Sequence, residues 1–206
     1  MLMRLKHISR WTTLALSSLI LAVLLVACGG ATGGSTTTPT PTAPPPTPTP
    51  TPMSMTTFAG NGFTMGYPQG WQTSRSSANL VTFTDSTGTT KMTITIVPDP
   101  NGAVSADSLV NTAVKAAKLP LKNSQPESVP PTVTVAGESW SQQSVSGTQR
   151  LNAADTVIQA VMLANVHPAN TLASKGYTIV YSAPKSTFSQ ANTAYFQPML
   201  QSFKFQ

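Results

Sequence analysis

One cysteine, two histidines and six carboxylates are all that this 206-residue chain offers to the chemistries that most often hold metals or drive catalysis. A single thiol excludes an internal disulfide framework. A zinc centre wants several Cys or His side chains at ligand spacing, and the supply falls short. Charge is sparse as well: Asp, Glu, Lys and Arg together make up 9% of the residues, and they are scattered along the chain. A nucleic-acid binder needs a clustered basic face, so nucleic acid is excluded as a partner. Long apolar runs are equally scarce. The sequence has one, Trp11 to Ala27, and it follows a basic head of Arg4, Lys6 and Arg10.

That arrangement is the n-region and h-region of an export signal. It ends in Leu25-Val26-Ala27-Cys28, which resembles the bacterial lipobox, where small residues precede a cysteine that receives a diacylglyceryl thioether and becomes the new N-terminus. The resemblance implies a lipoprotein signal peptide over residues 1–27 and lipidation at Cys28. Two acyl chains on one glyceryl group meet the two-signal requirement for stable anchoring. Two other readings stay open: an uncleaved anchor, since about 17 apolar residues just span a thinned bilayer, and an ordinary signal cleaved after Ala27. In the lipoprotein reading the cysteine is a tether, the partner is the membrane itself, and the rest of the chain is displayed on the extracytoplasmic side. Removing the signal leaves nine cations against six carboxylates, a net +3 in place of the formal +6.

Residues 29–52 are Gly, Ser, Thr, Ala and Pro only, ending in "TPTAPPPTPTPTP". No side chain there is large enough to offset chain entropy by burial, so the segment is expected to stay unfolded. Alternating proline favours polyproline II at about 3.1 Å per residue, giving a stalk of roughly 50 Å from Thr36 to Pro52. Residues 53–206 have the size of one domain and should bury roughly 68–70% of their extended-chain surface without metal or disulfide.

Within that domain the apolar pattern alternates between a period of two and one near three and a half. Phe63, Met65 and Tyr67 share one face of a strand that Pro68 and Gly70 end. Val81 and Phe83 pair with Met92, Ile94 and Ile96 in a hairpin turning at Asp85 to Gly88. A helix follows, with Ser105 as N-cap, Asp107 in its first turn, Lys115 and Lys118 near its end, and Pro120 as its stop. Val104, Leu109, Val110, Ala113, Val114 and Ala117 line one side of it. A second hairpin turns at Ala136-Gly137. Thr156 to Val166 and Gly176 to Ala183 are apolar on both faces, as central strands covered from both sides are. A final helix from about Ser186 to Gln201 buries Phe188, Ala191, Tyr195 and Met199, with Pro198 inside it as a kink or break. "SFKF" closes the chain as a short edge strand. The total is two main helices and about seven strands, mostly hairpin-linked: an α+β fold with helices on the faces of an antiparallel sheet.

The opening "GFTMGYPQGWQ", the hairpin "VTFTD" through "MTITIVP", and the ending "GYTIVYSA…AYFQPMLQSFKF" resemble the PsbP-like family. The resemblance covers nearly all of residues 57–206. It implies an α/β/α sandwich about a central antiparallel sheet. Plant members are extrinsic, non-catalytic subunits of photosystem II, and bacterial relatives are often lipoproteins. No metal or docking residue of the family matches this chain, so none is carried over.

Enzymatic motifs are weak. His167 is the domain's one histidine and stands before Pro168 at a strand end, where solvation is the plain reading. Ser182-Ala183-Pro184-Lys185 has S-x-x-K spacing and Ser77-Ala78-Asn79 has S-x-N, but the KTG element of penicillin-binding enzymes is missing. Gly137 to Ser141 fails the nucleophile-elbow pattern at its last glycine. Asp99 and Asn101 in "DPNG" are too few oxygen donors for a calcium loop and read as a β-turn. Trp71 and Trp140 suit core or rim better than a ligand groove. The sequence therefore points to a non-enzymatic, lipid-anchored binding or assembly subunit at the membrane surface, with a membrane-protein partner as one option and no cofactor. The alternative is a small-ligand or metal-ion carrier using a pocket between sheet and helix.

Overall fold

The computed structural model describes residues 53–99 and 101–206; the segment expected to be a signal peptide, Cys28 and the Thr/Pro segment expected to be a stalk lie outside them. Eleven strands and two helical stretches are found among the described residues. Strands β1 (Met55–Ala59), β2 (Phe63–Pro68) and β11 (Lys204–Phe205) form a small antiparallel sheet in the order β1-β2-β11. The large sheet joins β3 (Gln72–Ser77), β4 (Leu80–Thr84), β5 (Lys91–Pro98), β6 (Lys122–Glu127), β7 (Thr132–Val135), β8 (Glu138–Leu151), β9 (Ala154–His167) and β10 (Lys175–Pro184). Its order is β3-β4-β5-β10-β9-β8-β6, with β7 paired to β8, and every pairing is antiparallel.

The expected α+β class is observed, with helices on both faces of an antiparallel sheet. The strand count differs from seven because β1, β3 and β6 carry little apolar pattern. β3 is exposed at all six positions, and β6 reads KNSQPE, with a proline. Edge strands need to match only one neighbour, so periodicity does not betray them. The doubly apolar strands β9 and β10 lie at the centre of the order, as a strand covered on both faces must.

Helix α1 (Ala106–Lys118) starts where Ser105 accepts a hydrogen bond from the Ser108 amide while Ser108 accepts one from the Ser105 amide, a capping box made by two serines. Leu119 caps its end ahead of Pro120. It packs on β8, β9 and β10, with Val110 seated against Val145, Ala160, Met162 and Ala164. The opposite face carries the larger core: Phe83, Met92, Ile94, Leu163, Ile179 and Tyr181 of the large sheet meet Phe63 and Met65 of the small one and Phe196, Met199 and Phe203 of the C-terminal segment.

That C-terminal segment is not one helix. A 3₁₀ turn (Lys185–Thr187) leads into α2 (Phe188–Ala191), a π-helical stretch (Asn192–Phe196) and α3 (Gln197–Ser202). Pro198 has no amide to donate, and the widened π turn ahead of it absorbs the defect, so the break expected at the proline is met one turn early. β11 then pairs with β2, as expected for the closing "SFKF".

Candidate functional site

Because α1 covers β8 to β10 and stops short of β5, an open strip of sheet is left along its flank. The strip is a cleft of about 440 Å³, within the range of roughly 300–1,000 Å³ that small-molecule sites occupy. Its floor is one face of two paired strands. Strand alternation sends Met92, Ile94 and Ile96 into the core and leaves Lys91, Thr93, Thr95 and Val97 on the cleft side, where they stand opposite Ser182, Val180, Thr178 and Gly176 of β10. Ile158 and Ala160 of β9 extend the floor, and Gln149 closes it at one end. The roof is α1, through Leu109, Ala113, Ala116 and Ala117, followed by Pro120 and Leu121.

Two glycines let the helix come this close. A β-carbon on Gly176 would fall 2.7 Å from Leu109 Cδ1, and one on Gly147 would fall 2.9 Å from Leu121 Cβ and 3.0 Å from the Lys122 carbonyl oxygen. The lining is mainly aliphatic with a few hydroxyls, one amide and one cation. Thr178 and Ser182 are only 8% and 5% exposed, line the cleft, and have no side-chain hydrogen bond to a described residue. No buried polar side-chain atom among the described residues lacks a partner, so these two hydroxyls are open to the cleft, where a ligand can reach them. Thr93 is already engaged with Thr82 at 3.0 Å.

The residues singled out from sequence fall elsewhere, with one exception. Cys28 lies outside the described residues. His167 is not simply solvated: its Nδ1 is 2.7 Å from Glu138 Oε1, and its ring stacks on Phe205 with centroids 3.8 Å apart. Glu138 also accepts from Asn165, so the group ties the end of β9 to β8 and the C-terminus. The S-x-x-K pair is split. Ser182 faces the cleft, whereas Lys185 donates to Glu127 at 2.5 Å on the far side of Pro184. Lys185, and after it the Ser146 hydroxyl, hold the Glu127 carboxyl below the usual carboxylate range. The amide of Asn79 donates to Ser77 in a local turn. Both carboxylate oxygens of Asp99 accept from backbone amides, those of Ala103 and Val104, and its carbonyl accepts from the Gly102 amide, so Asp99 anchors a turn ahead of α1. Trp140 is fully buried and donates to the Val135 carbonyl, while Trp71 packs against Tyr195 and Phe196 at the rim of the core. Among the described residues no three His, Cys, Asp or Glu side chains come together as a metal site, and no helix is long and apolar enough to cross a membrane.

Sequence reasoning expected a pocket between sheet and helix without naming its residues. Lys91 was missed because "KMTITIVP" shows a polar alternate face, the usual mark of a solvated strand; Thr178 was missed because its strand reads as apolar on both faces, and Ser182 was noticed only for its S-x-x-K spacing. Only the position of α1 makes part of that face concave.

No protein-family model matches the chain, and no match to a curated protein was found. Solved structures with a similar chain path include LpqN, involved in cell envelope biogenesis of Mycobacterium tuberculosis, at 14% identity, with 75% of this chain and 91% of that chain covered and a TM-score of 0.46. The Saccharomyces cerevisiae Ran-binding protein Mog1p shares 12% identity over 74% of this chain and 96% of its own, with a TM-score of 0.46. A protein of Bacteroides thetaiotaomicron shares 11% identity at a TM-score of 0.44, with 70% of this chain covered, and the match spans only 45% of that protein's length. At such identities and scores these likenesses assign no activity; the chain has an α+β, antiparallel-sheet domain with helices on both faces.

Proposed function

We propose that this protein is a lipid-anchored, extracytoplasmic, non-catalytic binding protein whose ligand site is the cleft between α1 and the sheet. The anchor is the diacylglyceryl group on Cys28, and the Thr/Pro segment is the spacer between bilayer and domain. Of the two roles expected from the sequence, assembly subunit and small-ligand carrier, the cleft favours the second. The observation that carries this reading is a mainly aliphatic cavity of small-molecule size into which the hydroxyls of two otherwise enclosed residues, Thr178 and Ser182, open. The organic-ligand form of the carrier is preferred to the metal form, because the lining offers one cation and no carboxylate, histidine or thiol.

Two measurements test the two halves of the proposal. Growth with a clickable fatty acid should label the full chain, and Cys28→Ser should abolish both the label and the membrane association. A labelled Cys28→Ser chain sinks the anchor. Native mass spectrometry of the wild-type chain released from membranes should show a stoichiometric small-molecule adduct that Ala113→Trp, which fills the cleft, removes. An adduct that survives Ala113→Trp places the ligand elsewhere and overturns the assignment.

A further inference from the structure

The cleft differs from end to end, and the difference indicates what fits it. α1 runs across the sheet so that Leu109 meets Gly176 at one end and Leu121 meets Gly147 at the other. At the first end Val97 stands beside Gly176 in register, and the walls are aliphatic. At the second, Lys91 stands beside Ser182 in register, and Gln149 completes the lining. Lys91 is the only charged residue of the lining, and it is ion-paired to no described carboxylate. The carboxylate nearest in the chain, Asp85, is committed to its own turn, accepting from the amides of Thr89 and Thr90 and the hydroxyl of Thr87. From Lys91 to Val97 the strand spans about 20 Å at roughly 3.4 Å per residue.

Resting on the reading of the cleft as a ligand site, we infer that its ligand is a single-chain amphiphile with an anionic head. The head lies against Lys91 and Ser182, and the hydrocarbon chain runs under α1 toward Val97 and Leu109. A free cation beside a hydroxyl open to the cleft, in a cavity without any acid, is complementary to an anionic oxygen group, and charge-assisted hydrogen bonds to such a group are the strong ones. The trough continuing from that point is lined mainly by aliphatic groups that match a hydrocarbon chain; Thr93 and Thr112 are bonded to Thr82 and to the Ser108 carbonyl, which leaves only the Thr95 and Thr178 hydroxyls for a polar ligand there. One term opposes the assignment: the C-terminal end of α1 carries about half a negative charge. Lys115 and Lys118 in its last turn offset that charge.

The test uses the full lipidated chain in phosphatidylcholine vesicles and two photoactivatable probes of equal chain length, a fatty acid and the matching primary alcohol. The fatty acid should crosslink saturably to α1, β5 or β10 at about a tenfold lower concentration than the alcohol, the span expected of one charge-assisted contact. Lys91→Ala, at an exposed position, should erase that preference with an unchanged melting temperature, and Lys91→Arg should keep it. Equal labelling by acid and alcohol, or a preference that survives Lys91→Ala, overturns the anionic head while leaving the cleft as an apolar ligand site. Absence of both probes from the cleft overturns this inference together with the reading on which it rests.

Discussion

Tyr181 shows at the scale of one residue how the two faces of the sheet differ. Its neighbours on β10, Val180 and Ser182, line the cleft, whereas Tyr181 itself points into the larger core, with its ring 4.7 Å from that of Phe196. Burial pushes its phenol up to about 12 from an ordinary 10.0. The folded state therefore holds the proton more tightly than the unfolded chain does, and the stability present below pH 10 is lost as pH rises toward 12. At 1.36 kcal/mol per unit the loss is about 2 to 3 kcal/mol, and urea titrations at pH 9 and pH 12 should find it in the wild type and find it smaller in Tyr181→Phe. Gly147 supplies the second single-residue case. Its added methyl would meet backbone at Lys122 and Ser124, which cannot swing aside as the Leu109 side chain at Gly176 can. Gly147→Ala should cost about 1–3 kcal/mol, as overpacking does, while Gly176→Ala should cost clearly less; equal denaturation midpoints for the two variants would contradict this. Neither glycine was singled out from sequence, because the reason for each lies in a neighbour far along the chain.

At the scale of elements, turn chemistry separates what was legible from what was not. The β7–β8 hairpin turns at Ala136-Gly137, both with positive φ, at 52° and 79°. A glycine at such a turn is the standard signal, and the hairpin was expected there. The β8–β9 hairpin carries the two longest strands among the described residues, yet its turn is Asn152-Ala153 with φ of 48° and 67°. Alanine in the left-handed region is strained, and its presence hid the turn. Ala153 is exposed, so Ala153→Gly removes the strain without losing packing and should stabilise by about 1 kcal/mol, read as a raised melting temperature. A lowered one would mean that the loop holds Ala153 by contacts rather than against strain. The Ser105 N-cap of α1 and an interruption of the last helix at Pro198 were readable in advance, because both depend on residues within one helical turn, whereas the reciprocal Ser108 bond and the π turn ahead of the proline were not.

For the described domain taken whole, the two sheets and the C-terminal helices share one core. Phe203 joins them: it stacks on Phe63 of the small sheet at 5.4 Å and meets Trp140 of the large sheet edge-on at 5.5 Å. It is 1% exposed, so Phe203→Ala should cost about 3–5 kcal/mol, a large share of the 5–15 kcal/mol that domains possess. Fluorescence of Trp140 and far-ultraviolet circular dichroism should lose their signals together on unfolding. Separate transitions would show the small sheet to be an independent unit. By itself the sequence determined the elements with strong local pattern, the α+β class, the polar and apolar alternation of β4 and β5, and the expectation of a tether at Cys28, because each rests on neighbours in the chain. Tertiary structure alone decided that α1 stops short of β5, and with it the cleft, the seclusion of Thr178 and Ser182 and the placing of Lys91 at its end. Those features arise where residues some 20 to 90 positions apart meet, and the face of a strand reads the same in sequence whether water or a helix lies across it.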